Sequence, residues 1–210
     1  MSEDISRSQI GQIPFSQEIW RKGTHIGALI IPGSYYAMGL SMSQMLTIMI
    51  PVALLMLLID ISRLRQWVFW RKIAAPIGGR MIRGHEHAGD FTGATYILIS
   101  VCLTVAMYTK PIAVAALTFI IVGDTLAALI GRRFGRHRFG RKSVEGSLAC
   151  LTGTLLVAIF APDLALPVAL FGATVAAITE ALSTRIDDNI SVPIISGLAM
   201  TLFSRILSSI

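Results

Sequence analysis

A single carboxylate, Asp124, stands in an apolar stretch that runs from residue 111 to residue 131. It lies about two helical turns before the end of that stretch. An ionised carboxylate inside an apolar helix is costly and is by default functional, so Asp124 is a candidate metal ligand or catalytic group. The alternative is structural, in which Asp124 pairs with an arginine of the loop that follows.

A basic, glycine-rich loop follows Asp124 and carries six Arg and Lys residues between positions 132 and 144. Ser143, near the end of this loop, is placed to begin the next helix. Glycine backbone, cations and a helix N-terminus together can bind phosphate groups. The candidate residues for this role are Gly131, Gly135, Gly140, Lys142, Ser143, Glu145 and Gly146. The spacing is not that of a Walker motif, and a loop that touches anionic lipid would explain the cations alone.

An acidic turn follows the sixth apolar stretch, with Asp187, Asp188 and Asn189 in succession. Oxygen ligands at this density suit Mg²⁺, which proteins usually hold through one or two carboxylates together with phosphate oxygens. A turn that caps the next helix is an equally good interpretation, because Pro193 lies just inside that helix. We predict Asp124, Asp187 and Asp188 as metal ligands, with Asn189 beside them.

Arg21, Lys22 and His25 lie at the start of the first apolar stretch. Their spacing places them on one face of a helix, together with Glu18. An interfacial anchor, with Trp20 at the lipid headgroups and the two cations reaching water, is the alternative. An anchor needs neither the histidine nor the glutamate, so this face is also a candidate site.

Glu86 stands between His85 and His87, ahead of the third apolar stretch. It could cap that helix, bind a metal ion or accept a proton. A His-x-His pattern without further ligands nearby is a weak metal signal. A solvated helix start is the simpler interpretation of this segment.

The composition is that of a membrane protein. Of 210 residues, 54% are hydrophobic and only 14% are charged, and the mean hydropathy is +0.70. A soluble domain would carry about 25% charged residues. The net charge of +6 does not indicate nucleic-acid binding, because the basic residues cluster in loops between apolar stretches. There they face anionic lipid or an anionic ligand.

Seven apolar stretches are candidates to cross a bilayer. They are residues 24–40, 42–60, 92–109, 111–131, 145–161, 164–181 and 191–208. If they alternate, 16 of the 18 Lys and Arg residues fall on the side of the N-terminus, which the positive-inside rule assigns to the cytoplasm. We predict an all-α polytopic membrane protein, in the inner membrane if the cell is bacterial. A cytoplasmic segment, 1–23, with an interfacial helix would precede one helical membrane domain, 24–210.

The candidate residues therefore share one membrane face. Carboxylates that can hold Mg²⁺, with cations and glycines that can hold phosphates, are what phosphoryl or nucleotidyl transfer requires. Catalysis of these reactions is mostly positioning and neutralisation of charge. A site at the lipid–water boundary is open both to a soluble nucleotide and to a lipid.

Four motifs in combination resemble the family of CTP-dependent lipid kinases, which includes dolichol kinase, phytol kinase and the yeast-type CTP-dependent diacylglycerol kinase. They are Arg21-Lys22-x-x-His25, Asp124-x-x-Ala127-x-x-x-Gly131-x-x-x-Gly135, Lys142-Ser143-x-Glu145-Gly146-Ser147, and Glu180 followed by Asp187-Asp188-Asn189-x-x-x-Pro193. The resemblance covers residues 15–200. The family is distantly similar to phosphatidate cytidylyltransferases, and Gly135-Arg136-His137 matches part of their longer signature.

The resemblance implies an integral membrane enzyme that uses CTP and a divalent cation to phosphorylate a lipid alcohol. Carried onto this sequence, Asp124 and the candidate phosphate-binding residues would form the nucleotide–metal site. Arg21 and Lys22 would neutralise phosphate charge, and the acidic trio would complete the metal or ribose contacts. His25, Glu86 and one aspartate are alternatives for the general base.

Two other functions are open at this point. In a cytidylyltransferase, a lipid phosphate would attack the α-phosphate of CTP and pyrophosphate would leave. In a transporter, Asp124 would couple to an ion, although the almost purely apolar outer halves of the spans count against a polar pathway. The expected partners are CTP, a lipid alcohol of the polyprenol, phytol or diacylglycerol class, and membrane lipids. The sequence does not indicate an oligomeric state.

Overall fold

The computed structural model is mostly helical and describes residues 15–68, 70, 72, 90–140, 142–183 and 187–209. Its helices are α1 (Phe15–Gly27), α2 (Ile30–Ala37), α3 (Met42–Leu64), α4 (Gly93–Met107), α5 (Lys110–Phe134), α6 (Val144–Ile159), α7 (Leu166–Leu182) and α8 (Asp188–Ser208). Between α5 and α6, β1 (Arg138–Phe139) and β2 (Lys142–Ser143) form a minimal antiparallel hairpin. The predicted all-α class is confirmed, and the hairpin is an addition that the basic loop did not reveal.

Polar caps and prolines determine where the helices begin. Ser41 caps α3 through a capping box: its hydroxyl accepts from the Gln44 N–H at 3.2 Å, and its own N–H donates to the Gln44 side chain at 2.8 Å. Ser143 caps α6 by accepting from the Gly146 N–H at 3.1 Å. The predicted helix start at Ser143 is therefore confirmed. A proline in the first turn opens α5 and α7, where a missing N–H is harmless.

Helix α5 is the centre of the bundle. Nearly every residue from Ile112 to Thr125 is buried, and α5 packs against α1, α2, α4, α6, α7 and α8. By contrast, α3 directs large apolar side chains outward, and Leu54, Leu55 and Leu58 are all more than half exposed. Asp124 therefore lies on the most enclosed helix of the molecule.

The two ends of the bundle carry different polar residues. The end where α5 and α7 finish and α6 and α8 begin carries most of the residues predicted as functional. At the opposite end, Tyr36 donates a hydrogen bond to Asp163 at 2.9 Å, and the Lys110 ammonium lies 5.2 Å from the centre of the Tyr35 ring. The candidate residues thus gather at one end, here called the polar end.

The first predicted span, residues 24–40, is wrong as a single helix. Helix α1 ends at Gly27 and α2 begins at Ile30, with a turn between them. Pro32 has no N–H to donate to the Ala28 carbonyl, which instead accepts from Ile31 at 3.0 Å. The chain nevertheless runs along α5 from the polar end to the opposite end. The predicted boundary between residues 23 and 24 falls inside α1.

The other six predicted spans correspond to α3 through α8, with ends that differ by at most four residues. Helices α3, α5 and α8 are long and apolar enough to cross a membrane. Helices α4, α6 and α7 are apolar but shorter, at 15, 16 and 17 residues. These helices fit a membrane protein.

Candidate functional site

The Asp124 carboxylate faces α1. The Lys22 ammonium donates a hydrogen bond to Asp124 Oδ2 and forms a buried ion pair with it. His25 Nε2 lies 3.5 Å from the same oxygen. Lys22 and His25 are one helical turn apart and therefore face Asp124 together. This agrees with the prediction that they lie on one face of a helix. Among the residues that the structure describes, the cation closest to Asp124 is a lysine of the N-terminal helix, not an arginine of the following loop.

Lys22 is only 1% exposed, which is rare for a lysine. The adjacent Asp124 carboxylate compensates the charge of its ammonium. A pair of this kind is held in the apolar interior because each charge compensates the other. Removal of either charge would therefore leave the other buried without its nearest partner.

Lys142 connects the hairpin to α7 and α8. Its ammonium donates to the backbone carbonyl of Glu180 and also to Glu180 Oε1, the latter at 2.6 Å. Asp188 Oδ2, at the start of α8, lies 3.8 Å from the same ammonium. Glu180 is 4% exposed, and its Oε2 has no hydrogen-bond partner among the residues that the structure describes.

The two ion pairs belong to one site. Asp124 lies within electrostatic range of both Glu180 and Asp188, and Lys22 lies within range of the same two acids. Arg21 acts on the Asp124–Lys22 pair from the same end. Buried charges that interact this closely inside an apolar bundle are typical of a functional site.

The acidic turn serves as a helix cap. Asp187 Oδ1 accepts from the Asn189 N–H at 3.0 Å and from Asn189 Nδ2 at 2.6 Å. The capping alternative is therefore observed. The Asn189 Oδ1 atom is buried and lacks a partner within the described part of the chain, and Asp188 lies beside Lys142. Across the described ranges, no three His, Cys, Asp or Glu side chains form a metal-binding group.

The glycines around the hairpin let α5 and α6 approach each other. A Cβ on Gly146 would lie 2.8 Å from the Ala127 carbonyl oxygen, and a Cβ on Gly131 would lie 3.0 Å from Ser143 Oγ. A Cβ on Gly135 would lie 2.7 Å from the same Ser143 Oγ. Small residues at four-residue intervals are typical of close helix packing in membranes. This packing accounts for the glycine spacing without a ligand, and phosphate binding by these glycines stays a prediction.

The hairpin itself is exposed and cationic. Arg136 and Arg138 are exposed, and Gly140, at φ +62°, forms its turn with open space around it. Glu145 accepts from the His137 N–H at 3.2 Å and lies 2.8 Å from His137 Nδ1. In this structure Glu145 therefore folds the hairpin back onto α6, and its predicted role in nucleotide binding stays a prediction. Glu86 lies outside the described residues.

A second buried polar cluster was not predicted from the sequence. Asp60, near the end of α3, is 1% exposed. Its Oδ2 accepts from the Thr92 N–H at 2.7 Å, the Thr92 hydroxyl at 2.9 Å and the Thr95 hydroxyl at 2.6 Å. Its Oδ1 accepts from Arg63 Nε at 2.9 Å, and Arg63 also donates to the Asp90 carbonyl at 2.5 Å. The only signal in the sequence is an acid and a base one helical turn apart, at the end of an apolar stretch.

The fold and the site together define a helical membrane protein with a buried, ion-paired centre at one end of its bundle. The chain is 25% identical to CTP-dependent diacylglycerol kinase 1 of Saccharomyces cerevisiae, over 93% of this chain and 76% of the yeast protein. It is 27% identical to a probable chloroplastic phytol kinase 2 of Oryza sativa subsp. japonica, over 58% of this chain and 48% of the plant protein. It is also 26% identical to an uncharacterized protein of Rickettsia prowazekii, over 92% and 98% of the two chains. No protein-family model and no solved structure matches the chain.

These relatives confirm the resemblance to CTP-dependent lipid kinases. They support a lipid kinase and CTP as its phosphoryl donor. They carry no information on the distant similarity to phosphatidate cytidylyltransferases.

Proposed function

We propose that this protein transfers the γ-phosphate of CTP to the hydroxyl of a membrane lipid alcohol of the polyprenol, phytol or diacylglycerol class, at the cytoplasmic face. The observation that carries the proposal is the buried Lys22–Asp124 pair within electrostatic range of the Lys142–Glu180 pair. Such a centre, in a chain similar to lipid kinases, has the charges that phosphoryl transfer requires. Residues 15–209 would act as one catalytic unit, since α1 contributes to the centre.

The cations are suited to a triphosphate. Lys22 and Lys142 are held in place by carboxylates inside the bundle, where fixed charges act more strongly than in water. Arg21 lies beside the Asp124–Lys22 pair. On the exposed hairpin, Arg136 and Arg138 would attract the nucleotide from solution. The partial positive charge at the N-terminus of α6 would add to this attraction.

Mg²⁺ or another divalent cation would be held by Asp188 and Asn189, with Asp124 and Asp187 beside them. These residues fit because carboxylate and amide oxygens are the ligands that hard cations prefer. Asn189 Oδ1 is buried without a partner in the described ranges, so it is available as a ligand. When bound with a nucleotide, such an ion neutralises charge on the phosphate oxygens.

In the proposed reaction, the hydroxyl oxygen of the lipid attacks the γ-phosphorus of CTP. The bond from that phosphorus to the bridging oxygen breaks, and CDP leaves with the electron pair. The bundle would place the apolar body of the lipid against its outer helices and the hydroxyl at the polar end. Buried lysines there would hold the phosphate groups in position and balance their charge.

The experiment that tests this proposal uses purified protein with CTP labelled at either the γ- or the α-phosphate. The acceptors are dioleoylglycerol, phytol and a long polyprenol in mixed micelles with Mg²⁺. We expect γ-label, and no α-label, in the lipid product of at least one acceptor. Incorporation of the α-label into lipid would instead establish nucleotidyl transfer. Absence of label from every lipid would reject the proposed kinase activity.

A further inference from the structure

The Glu180 carboxylate is only half satisfied. Its Oε1 accepts a hydrogen bond from Lys142 at 2.6 Å, while Oε2 is enclosed and lacks a partner within the described residues. The side chain is 5% exposed, so water does not replace that partner freely. A buried carboxylate oxygen without a donor costs free energy. A site that retains such an atom is suited to a group that arrives with the substrate.

The missing partner must be a hydrogen-bond donor or a cation, because an ionised carboxylate oxygen can only accept. Phosphate oxygens of a nucleotide are acceptors and cannot supply the donor. The hydroxyl of a lipid alcohol can, as can a ribose hydroxyl, and an unchanged KM for CTP in the test below separates the two. We infer that Glu180 Oε2 binds the hydroxyl of the acceptor lipid and takes its proton, while Lys142 positions the carboxylate. This inference rests on the proposed kinase function and names the base for that reaction.

The position of Glu180 suits an acceptor that comes from the membrane. It lies in the last turn of α7, and Leu182, two residues further on, is 72% exposed on the outer surface of the bundle. The charged and titratable groups around Glu180 are Lys142 on the hairpin, Asp124 on α5, Lys22 on α1, Cys150 on α6 and, across Lys142, Asp188 on α8. A lipid approaching from the bilayer would thus find the carboxylate and the phosphate-binding cations together.

Of the other described candidates for the base, Asp124 and Asp187 are already engaged, and His25 Nε2, which has no hydrogen-bond partner in the described ranges, faces the Asp124 carboxylate at 3.5 Å. Asp124 Oδ2 accepts from Lys22 and faces His25. Asp187 Oδ1 accepts two hydrogen bonds from Asn189. Glu180 Oε2 is the carboxylate oxygen that is both buried and without a donor in the described part of the site.

The proton transfer balances within the proposed reaction. As the hydroxyl oxygen bonds to the γ-phosphorus, its proton moves to Glu180 Oε2. The bond to the bridging oxygen breaks at the same centre, and CDP leaves with that electron pair. The proton returns to solvent when the products leave. Lys142, through Oε1 and the Glu180 backbone carbonyl, keeps the carboxylate oriented during the transfer.

The test compares Glu180→Gln with the wild-type protein. The amide oxygen of glutamine still accepts from Lys142, but the amide cannot take a proton. We expect kcat to fall by about 10²- to 10⁴-fold, with the KM for CTP and the thermal shift caused by CTP unchanged. Asp163→Asn, at the opposite end of the bundle, is the matched control and should keep wild-type kcat.

A second readout separates a base from a residue that only supports the fold. The acceptors are phytol and hexadecanol, each compared with an analogue fluorinated at carbon 2, which makes the hydroxyl more acidic. If Glu180 is the base, the defect of Glu180→Gln should be at least about tenfold smaller with the fluorinated acceptor, since a more acidic hydroxyl depends less on a base. An equal defect with both acceptors, or loss of the CTP-induced thermal shift, would overturn the inference.

Two further outcomes keep the proposals apart. If Glu180→Gln does not fold, Glu180→Asp replaces it, because aspartate keeps the negative charge opposite Lys142 while withdrawing the carboxylate from the acceptor. A large kcat defect with normal CTP binding supports the inference in that variant, and wild-type kcat contradicts it.

If the wild-type protein transfers no γ-label to any alcohol, the kinase proposal fails and the inference fails with it. If the wild-type protein is active and the Glu180 variant shows no loss of kcat, the inference is rejected and the kinase proposal stands.

Discussion

Lys22 of α1 and Asp124 of α5 lie 102 positions apart in the chain and form a buried ion pair. The pair makes the N-terminal helix part of the polar centre. An interfacial anchor alone would leave the Lys22 ammonium at the headgroups, whereas this ammonium is enclosed. The N-terminal helix is therefore expected to matter for activity as much as the central helix does.

The first prediction concerns the acid of this pair. Asp124→Asn should lower lipid phosphorylation by about 100-fold or more, because it removes a fixed charge from the centre that orients Lys22. Labelled CTP with the best acceptor measures the loss, and elution from a sizing column in detergent checks folding. Asp163→Asn, which changes a loop acid at the opposite end, should stay active. Full activity of folded Asp124→Asn would rule out a catalytic role for Asp124.

The second prediction concerns Lys142. Lys142→Ala removes the charge that holds Glu180 and faces the proposed phosphate site. Charged hydrogen bonds contribute about 1.5–3 kcal/mol, so the KM for CTP should rise roughly tenfold or more, and kcat should fall as Glu180 loses its partner. Lys110→Ala, at the opposite end, is the matched control. An unchanged KM and kcat in Lys142→Ala would contradict the assignment of this lysine to the site.

The third prediction tests the close packing of α5 and α6. Gly146→Ala would place a Cβ 2.8 Å from the Ala127 carbonyl oxygen. Forcing the helices apart should lower the free energy of unfolding by about 1–3 kcal/mol. Gly33→Ala, where no atom lies within 4 Å of the added Cβ, should be neutral or stabilising. Thermal unfolding in detergent measures both, and equal stability of the two variants would argue against a packing role.

The fourth prediction concerns the cluster around Asp60. Asp60→Asn removes the negative charge of the side chain to which Thr92, Thr95 and Arg63 donate, and so breaks the buried Asp60–Arg63 ion pair. Breaking a buried pair in this way should destabilise the protein by about 3–5 kcal/mol. The melting temperature should fall, because the cluster joins α3 to α4. A melting temperature equal to that of wild type would show that these bonds contribute little.

The fifth prediction concerns the orientation in the membrane. Arg138 on the hairpin and Asp163 in the α6–α7 loop are both exposed, at opposite ends of the bundle. In sealed vesicles, a membrane-impermeant thiol reagent should label Arg138→Cys only from the cytoplasmic side and Asp163→Cys only from the other side. The wild-type protein, whose Cys150 is buried and Cys102 half-buried, is the control for background labelling. The reverse pattern would place the site on the outer face.

Much of the fold could be predicted because a bilayer leaves few options. An apolar stretch of membrane length must satisfy its own backbone, so helices α3 to α8 follow from hydropathy to within a few residues. Ser143 could be predicted as a helix start because a cap is a local signal. The break between α1 and α2 was not predicted, although Pro32 is the local cause.

Hydropathy and local motifs were enough to place helices α3 to α8, to identify the polar residues available to a site and to indicate the likeness to lipid kinases. Which of these residues are partners follows from the folded chain alone. It paired Asp124 with Lys22, and Lys142 with Glu180. It also placed Gly131 and Gly146 in a helix contact. The physical reason is that helix periodicity and capping act over a few neighbouring residues, whereas a buried charge takes the partner that packing brings within hydrogen-bond distance from any part of the chain.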